Sequence, residues 1–283
     1  MLVSALAILG LRSLETSTNV KGQLMKIVVL IKQVPDTWGQ RTLVVQSGRI
    51  DRSTGENVID EINERALEVA LIQQDAGNAE VVVLTMGPES ARDTIRKSLA
   101  MGADSAIHIQ DELLIGADYV QTAQGIAGAL KKISFDLIIA GDKSTDGGGG
   151  VLPAMISEIL EIPHLTQLDA VEIEETEVRG ERSTQSGSIR VSAALPTIIS
   201  VTERSAEPRY PTFRGIMKAK KKPIVSENLM SVGAKATSEA PALSGTCVLS
   251  VEARPERTAG IKIVDEGDAG IKIADFLTLN RLI

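Results

Sequence analysis

Apolar residues fall along this chain in two rhythms: short unbroken aliphatic runs, and longer stretches where they recur every three or four positions. Lys26-Ile-Val-Val-Leu-Ile-Lys32, Glu80-Val-Val-Val-Leu-Thr85 and Asp136-Leu-Ile-Ile-Ala-Gly141 are of the first kind, and Ser105-Ala-Ile-His-Ile109, interrupted by His108, reads as a further strand. Runs without polar alternation predict strands covered on both faces of a parallel sheet. Between them lie helical patterns. Asp60 is a fair N-cap for a helix over Glu61 to Gln74, with Ile62, Ala66, Val69 and Ala70 on one face. Pro88 suits the first position of the next helix, whose inner face is Ala91, Ile95, Ser98 and Leu99 and whose end is Gly102. A third helix spans Asp118 to Ile133, with Lys131 and Lys132 at the negative end of its dipole. A fourth opens at Val151 and runs towards Leu160.

This order, β-α-β-α-β-α-β-α, predicts an α/β fold: a doubly wound, mostly parallel nucleotide-binding sheet with right-handed crossovers. Such sheets bind ligands at the carboxyl ends of their strands. Those ends are Lys32 to Asp36, Thr85 to Gly87 and Gly141 to Gly150, which places three distant loops around one crevice. The last is the most distinctive, because Gly147-Gly-Gly-Gly150 stands between a buried strand and an amphipathic helix. Glycines let backbone N–H groups approach a ligand closely, and the following helix offers unpaired N–H groups and a positive dipole end. Together they form a natural phosphate site. A flexible linker is the plainer reading of a glycine run, but a linker needs neither the strand nor the helix. Neither the G-x-G-x-x-G nor the P-loop spacing is present.

Elsewhere the pattern is weaker. Gln33 to Trp38 reads as a loop, and Thr42-Leu-Val-Val45 with Gly48-Arg-Ile50 as a short hairpin. Beyond Pro163, Leu168 to Glu175, Glu177 to Arg182, Ser188 to Ala194 and Pro196 to Thr202 read as antiparallel segments, a meander on the sheet edge. A loop from Glu203 to Phe213, stiffened by Pro208 and Pro211, leads into a short helix, Gly215 to Lys222, ended by Pro223. Ser226 to Leu249 has little pattern, and the tail closes on the apolar segment Ile273 to Leu277. The expected organisation is an α/β domain over 25–225, with an antiparallel insertion at about 166–202 and an exposed loop region at 203–222, followed by a C-terminal arm over 226–283. Residues 1–24 read as a disordered upstream extension ahead of a natural start at Met25, a targeting peptide being the alternative. Met1 to Gly10 is apolar but shorter than the roughly 20 residues of a membrane span, and no basic region precedes it. The expected location is cytoplasmic.

Composition narrows the function classes. The 283 residues are 43% hydrophobic and 24% charged, ordinary for a chain that buries a core. Aromatics make up 2% and the net charge is −7, which argues against nucleic acid, whose binding needs stacking platforms and cations. Cys247 is the sole cysteine and His108 and His164 the sole histidines, so neither an internal disulfide nor a cysteine- or histidine-rich metal site is expected. No nucleophile–base–orienter set is visible, and the chain is not expected to be an enzyme.

The most specific stretch is Glu207-Pro-Arg-Tyr-Pro-Thr-Phe-Arg-Gly-Ile-Met-Lys-Ala-Lys-Lys-Lys222. With Ile27-Val-Val-Leu-Ile-Lys-Gln-Val-Pro-Asp36, Glu64-Arg-Ala-Leu-Glu68, Met101-Gly-Ala-Asp104, Asp146-Gly147 and Arg257-Thr-Ala-Gly260, it resembles the β subunit of electron transfer flavoproteins, a FixA-like family. The resemblance runs from Met25 to Ile283 and is most like the actinobacterial branch. It implies a heterodimer with an α subunit that carries most of an FAD site, on which the C-terminal arm packs. The complex would take electrons from acyl-CoA and related dehydrogenases of fatty acid β-oxidation and deliver them to a membrane quinone oxidoreductase, with no membrane insertion of its own. It also implies a structural AMP, contacted by Leu30, Lys32, Asp60, Thr85, Met86, Gly141, Ser144, Thr145, Asp146, Gly147, Gly148, Gly149, Gly150 and Val151. Thr37 or Trp38, with Ile62, would lie near the FAD. Glu207, Pro208, Arg209, Tyr210, Phe213, Ile216 and Met217 would meet the partner dehydrogenase, Phe213 as the apolar anchor, while Lys218, Lys220, Lys221 and Lys222 would steer an acidic surface. In electron-bifurcating relatives, which couple NADH oxidation to ferredoxin reduction, a second FAD takes the AMP place; that is the alternative. Three departures from the family pattern stand out. Asp60 replaces an Asn-Pro pair and is expected to face the ribose or adenine end, the Thr and Gln that often follow Asp-Gly are missing after Gly147, and Gln185 replaces an acidic residue.

Overall fold

The aliphatic runs become neighbours in one sheet. The structure, a computed structural model, describes residues 24–53, 55–234, 248–252, 255 and 260–283. β1 (Met25–Leu30) is followed by β2 (Gln33–Pro35), the hairpin β3 (Leu43–Val44) and β4 (Arg49–Ile50), β5 (Asn57–Ile59) and α1 (Glu61–Asp75). Next come β6 (Ala79–Met86), α2 (Arg92–Met101), β7 (Ser105–Ile109), α3 (Tyr119–Leu130), β8 (Leu137–Gly141) and α4 (Leu152–Leu160). The second half holds β9 (His164–Leu168), β10 (Ala170–Ile173), β11 (Glu177–Thr184), β12 (Gly187–Ala194), β13 (Thr197–Val201), α5 (Phe213–Ala219), β14 (Ile224–Glu227) and α6 (Ala269–Leu279).

Seven strands form the central sheet in the order β14-β7-β6-β1-β8-β13-β9, and every pairing in it is parallel. Alternate side chains of each strand feed two cores, as the period of two requires. Ile27, Val29, Val81, Val83, Leu137 and Ile139 pack with α1 and α2. Val28, Leu30, Val82, Leu84, Ile138 and Ala140 pack with α3 and α4. Ile27, Ile138 and Ile139 are wholly buried, and each such side chain contributes about 1.5–3 kcal/mol. The chain leaves β1 towards β6 on one side, and later adds β8 on the other. The order therefore reverses between β1 and β8, and their carboxyl ends part into a crevice.

Helix boundaries follow the expected caps. The Asp60 carboxylate accepts from the N–H of Ile62 at the start of α1, and Asp118 forms a reciprocal capping box with Gln121 at the start of α3. The second helix begins as a 3-10 turn at Glu89–Ala91 with Pro88 ahead of it.

Four segments differ from the sequence reading. Gln33–Pro35 is not plain loop but pairs antiparallel with β5. His164–Leu168 is a strand, the outer edge of the central sheet. Pro196 to Thr202 is not part of an antiparallel meander: Thr197–Val201 lies between β8 and β9, parallel to both, because all five residues are buried and need cover on both faces. The antiparallel sheet is confined to β10, β11 and β12. After Pro223, Ile224–Glu227 adds an edge strand beside β7, where no pattern had marked one. Leu229 and Val232 are buried in the core on the α3–α4 side.

The chain separates into two units, Met1–Val248 and Leu249–Ile283. Within the second, α6 begins where the Asp265 carboxylate accepts from the N–H groups of Gly267 and Ala269, and none of its residues is buried. Residues 1–23 of the expected extension over 1–24, Cys247 and most of the Arg257-Thr-Ala-Gly260 motif lie outside the described residues. Among the described residues no helix is long and apolar enough to cross a membrane, and no cluster of His, Cys, Asp or Glu is arranged to hold a metal.

Candidate functional site

The crevice between β1 and β8 is built from the loops that leave those two strands. Lys32, just past β1, extends Nζ to Ser144 Oγ (3.1 Å) and Asp146 Oδ1 (2.7 Å) in the loop after β8. The second Asp146 oxygen accepts from Arg52 Nη2 at 2.8 Å. The Asp146 side chain is only 2% exposed. Burial pushes its pKa up, but the hydrogen bond and charge of Lys32, with Ser144 and Arg52, outweigh this and leave it below the usual carboxylate range. Arg41 donates to Pro35 O, Thr145 O and Thr145 Oγ1, so the excursion between β2 and β5 is fastened across the loop. Its hydrogen bonds all go to neutral acceptors.

Asp60 holds the same loop from below. It is fully buried; Oδ1 caps α1, and Oδ2 accepts from Thr145 N (2.6 Å) and Thr145 Oγ1 (2.8 Å). This carboxylate, expected to face a ribose or adenine, accepts from three donors of its own chain. Asn63, one turn on, accepts from Lys32 N at 2.8 Å. A Cβ on Gly141 would come within 2.5 Å of Asn63 Nδ2, so glycine there lets α1 close on β8.

Each glycine of the 147–150 run has its own reason. Gly148 and Gly150 have φ of +63° and +66°, a left-handed backbone that other residues adopt only with strain. A Cβ on Gly149 would stand 2.1 Å from the Tyr119 hydroxyl, so the phenol lies directly on the loop. One on Gly147 would meet Ser144 Oγ at 3.3 Å. Past the run, Val151 is the N-cap of α4 without any side-chain cap; Pro153 has no N–H, so Leu152 and Ala154 supply the first N–H groups that an outside acceptor could meet. Lys32 and Arg52 share the carboxylate of Asp146, and Arg41, bound only to neutral acceptors, adds a third cation beside the loop. Uncapped N–H groups, left-handed glycines and surplus cations suit a phosphate.

The other expected residues divide. Leu30 and Ile62 are buried in the crevice floor, and Met86 packs with its sulfur 3.2 Å from where a Gly125 Cβ would sit. Thr85 is buried with no partner for its hydroxyl. Thr37 and Trp38 stand outside, Trp38 being 96% exposed. Asp142, at the mouth of β8, is 6% exposed and one of its oxygens lacks a partner; burial pushes its pKa up, more than the neighbouring Lys143 lowers it. His108 Nε2 lies 3.1 Å from Gly87 O, within the fold, and His164 is a surface residue. Arg41, Arg52 and Tyr119 escaped sequence reasoning, since each is remote in sequence from its partner or stands in no periodic pattern, while Asp142 falls in the expected loop from Gly141 to Gly150 without having been singled out. Two clefts, of about 280 Å³ between α1 and β10 and about 200 Å³ beside Asp36 and Glu56, include no glycine-loop residue.

A second candidate surface lies on α5 and the loop before it. Tyr210, Phe213, Ile216 and Met217 are all exposed, and the last three share a face at i, i+3 and i+4. Clustered apolar residues at a surface mark an interaction site. Glu207 pairs with Arg65 at 3.1 Å. Arg209, expected at the partner, is engaged by Glu68 and Asp75 of α1. Lys222, expected to steer, is bound inside the chain: Nζ donates to the carbonyls of Leu99, Gly102 and Ala103 at the end of α2. Lys218, Lys220 and Lys221 remain exposed.

Together the parallel sheet, the crevice and the glycine loop define an α/β protein with a candidate phosphate site at the carboxyl ends of its strands. The electron transfer flavoprotein domain matches residues 47–231. The chain is 46% identical over 263 residues to an electron transfer flavoprotein subunit beta of Mycobacterium leprae, covering 91% of this chain and 99% of that protein. It is 45% identical over the same coverage to the subunit beta of Mycobacterium tuberculosis, and 33% identical to that of Megasphaera elsdenii, covering 89% and 96%. The chain belongs to the electron transfer flavoprotein family, among its β subunits, and the higher identities are to actinobacterial members, as the resemblance implied. That membership assigns it an electron transfer role.

Proposed function

We propose that the chain is the β subunit of a heterodimer whose α subunit contributes most of an FAD site. The complex accepts electrons from acyl-CoA and related dehydrogenases and passes them to a quinone oxidoreductase at the membrane, from the cytoplasm. The observation that carries the reading is the likeness to β subunits across 99% of their length. The flavin supplies the redox chemistry, and this chain binds, orients and shields.

The crevice holds a structural AMP in this reading. Its phosphate would lie on the glycine loop and the uncapped start of α4, with Lys32, Arg41 and Arg52 as countercharges. A second FAD there is the alternative; the diphosphate would use the same loop.

The apolar patch at Tyr210, Phe213, Ile216 and Met217 receives the dehydrogenase. Phe213→Ala in the purified heterodimer is expected to raise the apparent KM for the heterodimer about tenfold in an acyl-CoA dehydrogenase-coupled assay, as loss of an aromatic anchor does, with flavin content unchanged. An unchanged KM would show that docking lies elsewhere.

A further inference from the structure

We propose that Arg209 is a positioning residue: Glu68 and Asp75 of α1 clamp it, and the clamp holds the loop that presents Tyr210 and Phe213. The inference rests on the reading of that patch as the dehydrogenase-docking surface. Arg209 meets Glu68 through its backbone N–H (Oε2, 3.1 Å), Nε (Oε2, 2.8 Å) and Nη2 (Oε1, 2.7 Å), and meets Asp75 through Nη2 at 2.8 Å. This is the fork-on-carboxylate arrangement that fixes direction as well as distance. Glu68 is 8% exposed at its side chain, so the contact is sheltered from water on the helix side. Hydrogen bonds from Arg209 to Glu68, and then to Asp75, outweigh burial and raise the guanidinium pKa, so the charge is permanent.

A second arginine, on α1 itself, braces the start of the loop. Arg65 of α1 donates from Nη1 to Ser205 O (3.3 Å) and Ala206 O (3.2 Å) and pairs with Glu207 Oε2 (3.1 Å). Arg65, Glu68 and Asp75 are spaced to share one helix face. Between the exposed pair, Thr212 caps α5 by accepting from Gly215 N at 3.0 Å. A Cβ on Gly215 would lie 2.3 Å from Ala100 O, so α5 is seated on the end of α2. Tyr210 and Phe213, 90% and 82% exposed, therefore stand between two fixed points.

Charge separates positioning from direct contact. Two carboxylates surround one guanidinium, so Arg209 presents no surplus positive charge to an acidic partner. What remains for it to contribute is order: a loop held in place before docking loses less entropy when it docks.

The test uses the purified heterodimer, with Arg209→Met, the near-isosteric Glu68→Gln, Phe213→Ala, and Arg209→Met with Phe213→Ala. An acyl-CoA dehydrogenase with its acyl-CoA substrate serves as electron donor, and amide exchange is followed over 205–213. Arg209→Met and Glu68→Gln are expected to speed exchange across that segment and to raise the KM for the heterodimer about fivefold, leaving kcat and FAD content unchanged. In the double variant the two effects should be less than multiplicative, because a loop without its anchor gains nothing from being held. If Arg209→Met does not assemble, Glu68→Gln carries the test alone. An unchanged or lowered KM in Glu68→Gln, the outcome of an arginine that itself pairs with the dehydrogenase, overturns the clamp. If Phe213→Ala raises KM and the clamp variants do not, the clamp alone is wrong. If Phe213→Ala leaves KM unchanged, the docking reading fails and the positioning role falls with it.

Discussion

Asp146 and Asp142 lie on one loop, yet their surroundings push their ionisation in opposite directions. Asp146 is met by two cations, and its pKa is lowered. A group with a folded-state pKa below its unfolded value stabilises the fold above the unfolded pKa, and that contribution is lost as pH falls through the folded one. Asp146→Asn should therefore lower stability at neutral pH by about 1–2 kcal/mol, less than for a fully buried pair because Lys32 and Arg52 are about 40% exposed. The difference from the unmodified chain should vanish in acid. Asp142 has one cation, Lys143, at 3.9 Å, and burial outweighs it, so its pKa is raised. Its contribution is present below the unfolded pKa and is lost as pH rises through the folded pKa, so at neutral pH its charge opposes folding. Asp142→Asn is expected to raise stability at neutral pH by about 1 kcal/mol, the gain shrinking as the medium is acidified. Thermal melts of both variants across that range check the two signs together.

Elements with a strong period were legible in the sequence, and those whose identity depends on a neighbour were not. β1, β6 and β8 announce themselves because both faces are buried and their apolar runs are unbroken, and β7 does so despite His108 within its run. β14 has no such run, since an edge strand with Ile224 half-buried and Val225 exposed needs none. Thr197–Val201 carried the mark of a doubly covered strand, but the polar segments before it suggested a continuing meander. At the candidate site, the glycine loop and Asp60 were visible, while Arg41, Arg52 and Tyr119 come to it from elements remote in the chain. The run of glycines was read as clearance for a ligand; at Gly149 the clearance also serves Tyr119. Gly215 was not singled out, though α5 cannot seat on Ala100 O with a side chain there. Gly215→Ala should displace α5 and cost about 1–3 kcal/mol, the range for overpacking, read as a lower midpoint in urea unfolding.

At the scale of the whole molecule, α1 adjoins both candidate surfaces. Its first turn holds the glycine loop through Asp60 and Lys32 through Asn63, and its later turns hold the docking loop through Arg65, Glu68 and Asp75. One rigid element thus sets the place of the proposed nucleotide and of the apolar patch. The net charge of −7 leaves the cations around Asp146 as a local exception, which is the pattern expected where a phosphate belongs. The most direct test of this account is to co-express the chain with its α subunit, purify the complex, denature it and quantify the released nucleotides. FAD and AMP in equal amounts are expected. FAD alone, in double the amount of the heterodimer, would contradict the structural AMP and establish a second flavin on the glycine loop.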